Sequence, residues 1–172
     1  MSRTDSRPRP KAGNSGKTTP GLSIACGSWD ELDAVMEVMS SAFDPRFGEA
    51  WTRAQCAGIL PMFGVRLLLA SQAGRPLGFS LVRSVAGESE LLLLAVRGDA
   101  QRQGVGAELV DRFLGDARTE GLARVHLEVR DGNPAVQLYR HHEFAVEGRR
   151  SNYYRGTDGT QFDALTMARA VD

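Results

Sequence analysis

A mixed α/β fold is what this sequence predicts, and three observations predict it. Three apolar runs, Val65 to Ser71, Leu77 to Val85 and Glu90 to Val96, are separated by Ala73-Gly74-Arg75-Pro76 and Ala86-Gly87-Glu88, turns short enough for an antiparallel meander. Beyond Val96 the apolar runs alternate with segments of helical period, so the connections there become crossover helices. Two segments ahead of the meander also carry helix-start chemistry. The expected order is β-α-α-β-β-β-α-β-α-β-β, about seven strands in a mixed sheet with four helices on its faces.

Each element has its own justification. Leu22 to Cys26 is a short apolar stretch that reads as the first strand. Ser28-Trp29-Asp30-Glu31 has capping-box spacing, and Trp29, Leu32, Val35, Met36 and Met39 recur at helical period, so a helix runs to about residue 42. A second box, Thr52 to Gln55, starts a shorter helix that stops near Pro61, and between the two lies the aromatic, turn-rich loop Phe43 to Gly48. After the meander, Val105, Leu109, Val110, Phe113, Leu114 and Ala117 share one helical face that ends at Gly121. A strand at Ala123 to Val129 follows, then a helix capped by Asn133 with Pro134 in its first turn. Phe144 to Arg150 and Phe162 to Ala168 are the last two strands.

Composition bounds the organisation and excludes several classes. The chain has 172 residues, 42% hydrophobic and 24% charged, as expected of one soluble globular domain. Residues 1–21 carry five basic side chains, Arg3, Arg7, Arg9, Lys11 and Lys17, against Asp5 alone, among Pro, Gly, Ser and Thr; they read as a disordered basic tail ahead of a single domain at 22–172. The formal net charge is zero, so no general field draws nucleic acid and no specific nucleic-acid binding is expected. Cys26 and Cys56 stand apart without Cys-x-x-Cys spacing, and the histidines show no ligand spacing, so neither a disulfide scaffold nor a metal site is expected. No apolar run reaches the ~18 residues of a membrane span, and no secretory leader is evident. The expected location is the cytoplasm.

The strongest chemical motif is Gln101-Arg102-Gln103-Gly104-Val105-Gly106-Ala107, which opens a helix shortly after a strand. The first N–H groups of a helix lack intrahelical partners and the macrodipole adds positive potential, so two glycines there let a pyrophosphate approach the main chain. A phosphate-loop NTPase would need Gly-Lys-Ser/Thr, whereas Ala107 and Glu108 follow Gly106. A dinucleotide fingerprint would need its first glycine at the strand end, whereas Arg97 to Ala100 intervene.

A second constellation lies further on. Arg124 to Arg130 alternates strictly, with Val125, Leu127 and Val129 on one face and His126, Glu128 and Arg130 on the other, so Glu128 faces either bulk water or a cleft. Tyr139 lies on one stripe of the next helix with Ala135, Leu138 and His142. An amine attacking a thioester needs a base, which a carboxylate can be, and an acid for the departing thiolate, which a phenol can be. Tyr153 and Tyr154, near a chain reversal, either wall a peptide groove or simply pack in a strand.

The glycine segment resembles the Gln/Arg-x-x-Gly-x-Gly/Ala motif by which GCN5-related N-acetyltransferases (GNAT) hold acetyl-CoA. The stretch Leu127 to Arg140, then Phe144, looks like the distinctive region of the ribosomal-protein alanine N-acetyltransferases, the RimI group of that superfamily; Arg149 to Tyr154, Asp158-Gly159 and Asp163-Ala164-Leu165 look like its tail. The superfamily similarity covers roughly residues 22–170. The group's usual Pro-Trp-Ser is replaced by Ala50-Trp51-Thr52, after an atypical loop from Asp44 to Glu49.

The resemblance implies a GNAT fold, splayed between the fourth and fifth strands, and direct acetyl transfer from acetyl-CoA without a metal. Glu128 would be the general base and Tyr139 the general acid. Leu94, Ala95 and Val96 would offer main-chain groups to the acetyl carbonyl and pantetheine, while Arg102, Gln103, Gly104, Val105, Gly106 and Ala107 would hold the pyrophosphate. Asn133 would contact CoA, although its place before Pro134 is equally that of a helix cap. The implied acceptor is a protein N-terminus, the N-terminal alanine of the eighteenth small-subunit ribosomal protein or a similar chain, with Tyr153 and Tyr154 at the peptide. Acetylation of a small-molecule amine, or CoA binding without catalysis, are the alternatives.

Overall fold

The computed structural model describes residues 19–172. The reading of a disordered tail therefore falls almost wholly outside the described residues. The strands are β1 (Leu22–Gly27), β2 (Val65–Gln72), β3 (Arg75–Val85), β4 (Glu88–Val96), β5 (Arg124–Arg130), β6 (Ala145–Arg155) and β7 (Gln161–Ala170). The helices are α1 (Leu32–Ala42), α2 (Arg53–Ile59), α3 (Val105–Thr119) and α4 (Ala135–His141). All seven strands form one sheet in the order β1-β2-β3-β4-β5-β7-β6.

The first four strands are antiparallel; tight turns require this of β2, β3 and β4, while β1 reaches β2 through α1 and α2. Both meander turns consist of two residues, with φ of +48° and +77° at Ala73 and Gly74 and +53° and +84° at Ala86 and Gly87, the double positive φ that matches strand twist in a hairpin. Arg75 and Pro76 consequently belong to β3 and not to the turn. The crossover through α3 makes β4 and β5 parallel. The crossover through α4 does not extend that parallel run, because β7 inserts between β5 and β6 and pairs antiparallel with both.

Period-two alternation sends side chains to opposite faces of the sheet. Leu67, Phe79, Leu81, Leu93 and Ala95 face α1 and α2, where Leu32, Val35, Val38, Met39 and Cys56 complete the core. Leu68, Ala70 and Leu77 face the start of α3 at Val105 and Leu109. Val82, Leu91, Val125, Leu127 and Met167 meet the rest of α3 and Val136, Tyr139 and Phe144 beside α4. Both capping boxes form: Ser28 N–H donates to Glu31 Oε2 at 2.6 Å, and Thr52 N–H donates to Gln55 Oε1 at 2.7 Å.

Two irregularities place the site. In β4, Leu91 opposes Val82 and Leu93 opposes Leu81, which leaves Leu92 as an unopposed bulge. In β6, Arg150 pairs with Ala164 and Tyr154 with Phe162, so three residues on one strand answer one on the other, and Asn152 takes a φ of +54°. β6 also runs to Arg155, past the Arg150 expected from its apolar stretch.

Candidate active site

β4 and β5 pair only from Glu88 to Leu91 and from Arg124 to Leu127. Past the Leu92 bulge the strands part, and a cavity of about 120 Å³ opens in the splay. Leu92, Leu93 and Leu94 line it from β4, Glu128 from β5 and Tyr139 from α4. Residues 128 and 139, separate in sequence, thus share one cavity.

Glu128 faces the cleft and not bulk water because the α1–α2 loop and the β6–β7 pair cover this end of β5. Its side chain is 17% exposed, and Arg150 Nη1 lies 3.5 Å from Oε1. Thr166 Oγ1, on the adjacent β7 position, donates to the carboxylate at 3.0 and 3.1 Å from its two oxygens. These contacts fix the carboxylate's direction.

Tyr139 is buried and stacks edge-on against Phe144, with ring centroids 6.0 Å apart. Burial pushes its phenol above the ordinary range, and the Glu49 charge adds to the effect. A phenol so placed keeps its proton at any working pH. The Tyr154 phenol is raised for the same first reason, burial, and then by Glu49. The β6 bulge brings both Tyr153 and Tyr154 to the cavity, their rings 4.9 Å apart and nearly perpendicular; Tyr153 is the exposed member and carries Arg150 over its face at 4.4 Å.

The glycine segment sits where β4 hands over to α3. Gly104 takes a φ of +91° and Arg102 one of +59°, which turns the chain so that α3 begins at Val105. Among the described residues, no protein acceptor takes the main-chain N–H groups of Arg102 to Ala107. Gly106 lies against α4: a Cβ there would come 3.2 Å from Leu138 Cδ2 and 3.6 Å from Val96 Cγ2. The segment is therefore a set of free donors at a fifteen-residue helix start, with little side-chain bulk, chemically suited to a diphosphate. Leu94 reaches the cavity itself, while Ala95 and Val96 continue β4 from the cavity toward the glycine segment.

Asn133 is used on both ends of its amide. Oδ1 accepts from Ala135 N–H at 2.8 Å as the cap of α4, and Nδ2 donates to Glu49 Oε1 at 2.6 Å. Sequence reasoning missed that second partner and the group it belongs to. Arg130, expected on a polar face, is buried: its Nε lies 3.1 Å from Glu49 Oε2, an ion pair without hydrogen-bond alignment, and its guanidinium sits 3.8 Å from the Phe47 ring centroid. The alternation placed Arg130 on the correct face, but only the folding of loop 44–49 over that face buries it. Among the described residues no cluster of His, Cys, Asp and Glu could hold a metal ion, and no helix is long and apolar enough to cross a membrane.

A parallel pair that splays into a cavity, free amides at the following helix start, and a carboxylate and a phenol lining that cavity are the parts that acyl transfer from a diphosphate-bearing thioester would require. The sequence over residues 32–144 matches the acetyltransferase (GNAT) family, and the chain belongs to that family of acyltransferases. It is similar to the [ribosomal protein bS18]-alanine N-acetyltransferase of Escherichia coli K12, 37% identical over 102 residues that make up 59% of this chain and 68% of that protein. The crystal structure of the ribosomal-protein-S18-alanine N-acetyltransferase from Escherichia coli superposes with a TM-score of 0.78 at 28% identity, over 88% of this chain and 94% of that one. Ard1 from Thermoplasma volcanium has a TM-score of 0.75 at 27% identity, over 88% and 99% of the respective chains.

Proposed function

We propose that the protein transfers the acetyl group of acetyl-CoA to the α-amine of a protein N-terminus, the N-terminal alanine of a small-subunit ribosomal protein, in the cytoplasm. The observation that carries the reaction is that Glu128 and Tyr139 line one cavity in the splay of the sheet. The name and similarity of the Escherichia coli relatives support the acceptor.

The residues divide the work. The N–H groups of Arg102, Gln103, Gly104, Val105, Gly106 and Ala107 hold the pyrophosphate. Main-chain groups at Leu94, Ala95 and Val96, on the part of β4 that has left its β5 partner, direct the pantetheine and polarise the thioester carbonyl. Glu128 takes the proton of the attacking amine, directly or through a water; a peptide α-amine has a pKa near 8 and needs only a modest base. Tyr139 returns a proton to the departing thiolate. Tyr153 and Tyr154 form the wall on which the acceptor peptide lies. Asn133, whose amide is engaged by Glu49 and by Ala135, fixes the start of the helix that carries Tyr139.

The test is direct. Purified protein with acetyl-CoA is offered peptides that differ in their first residue, together with polyamines and aminoglycosides, and the products are read by mass spectrometry. Acetylation at the α-amine of alanine-starting peptides is expected. Modification of small amines alone would replace the acceptor, and CoA binding without any product would replace the enzyme by a binding module.

A further inference from the structure

The loop between α1 and α2 carries a charge pair to which the transfer chemistry above gives no part in acceptor binding. Glu49 lines the same cavity as Glu128 and Tyr139, and its side chain is only 9% exposed. Arg130, also 9% exposed, stands behind it at 3.1 Å, and Asn133 holds its other oxygen at 2.6 Å. The guanidinium is enclosed further by Phe47 at 3.8 Å and Phe162 at 5.7 Å from the ring centroids. The loop that presents Glu49 is fixed by backbone contact. A Cβ on Gly48 would lie 2.0 Å from the Arg155 carbonyl oxygen, and one on Gly156 2.0 Å from that of Arg46.

A buried cation next to an amine-binding cavity opposes the binding of an ammonium group unless something neutralises it. The amine arrives largely protonated, because a peptide α-amine has a pKa near 8. Glu90 and Glu128 also line the cavity, but Glu90 lies across from His126 and Glu128 is engaged by Thr166 and Arg150. Glu49 is the carboxylate in contact with Arg130. We infer that Glu49 is a positioning and specificity-determining residue: by neutralising the buried Arg130 it keeps the acceptor end of the cavity attractive to a primary ammonium group. The inference rests on the amine-acetylating reading above and names the electrostatic selection at that same site.

Steady-state kinetics of E49Q, R130M and the E49Q/R130M double variant test it, with an alanine-starting peptide and a small primary amine as acceptors. E49Q keeps the side-chain shape and exposes the Arg130 charge, so the acceptor KM rises on the order of tenfold while the KM for acetyl-CoA stays within about twofold. Removing the charge from both members returns the acceptor KM to within about threefold of the wild type. A double variant no better than E49Q, or an acetyl-CoA KM that rises in parallel, overturns the inference in favour of a purely structural pair. Should E49Q melt too low to assay, the double variant decides alone: a near-native acceptor KM supports the inference and a raised one overturns it. A wild-type protein that acetylates the small amine but no peptide sinks the N-terminal acceptor, and the variants are then read on the small amine; acetylation of neither overturns both readings.

Discussion

At the scale of single residues, the chemistry comes down to which group holds a proton and which can take one. Tyr139 sits in the core beside Phe144, and its raised phenol pKa follows from burial first and the Glu49 charge second. Tyr139→Phe is expected to lower kcat by roughly 10²-fold or more with little change in the KM for acetyl-CoA, measured by thiol release, since general acids contribute on that order. The same shift has a thermodynamic consequence. The folded state keeps a proton that the unfolded chain releases near pH 10, so above that pH the folded state binds more protons and stability falls as pH rises. Tyr154 acts in the same sense. Urea melts are therefore expected to show no pH dependence from these phenols below about pH 10 and a decline above it that is shallower in Tyr139→Phe. Glu128 owes its direction to Thr166, its neighbour across the β5–β7 ladder, and that partner lies 38 residues away in sequence.

At the scale of elements, what was legible in the sequence was what local pattern encodes. The capping boxes at Ser28 and Thr52, the hairpin turns and the stripe of α3 all depend on neighbours within a few residues, and the structure contains each of them. The insertion of β7 between β5 and β6 was not legible, because strand order is settled by long-range pairing that no local period reports. Nor was the Glu49–Arg130–Asn133 group, whose members come from a loop, a strand end and a helix cap and meet only after loop 44–49 folds over β5. The close passage of that loop over β6 yields a prediction of its own: Gly48→Ala places a Cβ against the Arg155 carbonyl and strains a φ of +67°, so it should cost about 2 kcal/mol or more in a denaturant melt. Gly104, at a φ of +91°, is expected to act differently. Gly104→Ala distorts the donor loop and should raise the KM for acetyl-CoA several-fold, while the KM for the acceptor stays near its wild-type value.

At the scale of the whole molecule, the sheet is a frame with one deliberate gap. Helices α1 and α2 close one face and α3 the other, so β2 and β3 bury side chains on both faces. Only past Leu91 and Leu127 does pairing between β4 and β5 stop, and there main-chain groups, a carboxylate and a phenol converge without helix or strand between them. On the proposed function the donor would approach from the α3 side through the glycine segment and the acceptor between loop 44–49 and the tyrosines of β6. Membership of the GNAT family accounts for the frame, while loop 44–49 and the Ala50-Trp51-Thr52 that follows it cover the end of the cavity proposed for the acceptor. The most direct test compares wild type with the E128Q/Y139F double variant, measuring acetyl-CoA affinity by calorimetry and single-turnover acetylation of an alanine-starting peptide on the same preparations. The double variant is expected to bind acetyl-CoA within about threefold of the wild type and to lose roughly 10³-fold or more in turnover rate. Turnover at the wild-type rate in that variant would contradict the assignment of the cavity as the place where the acetyl group moves.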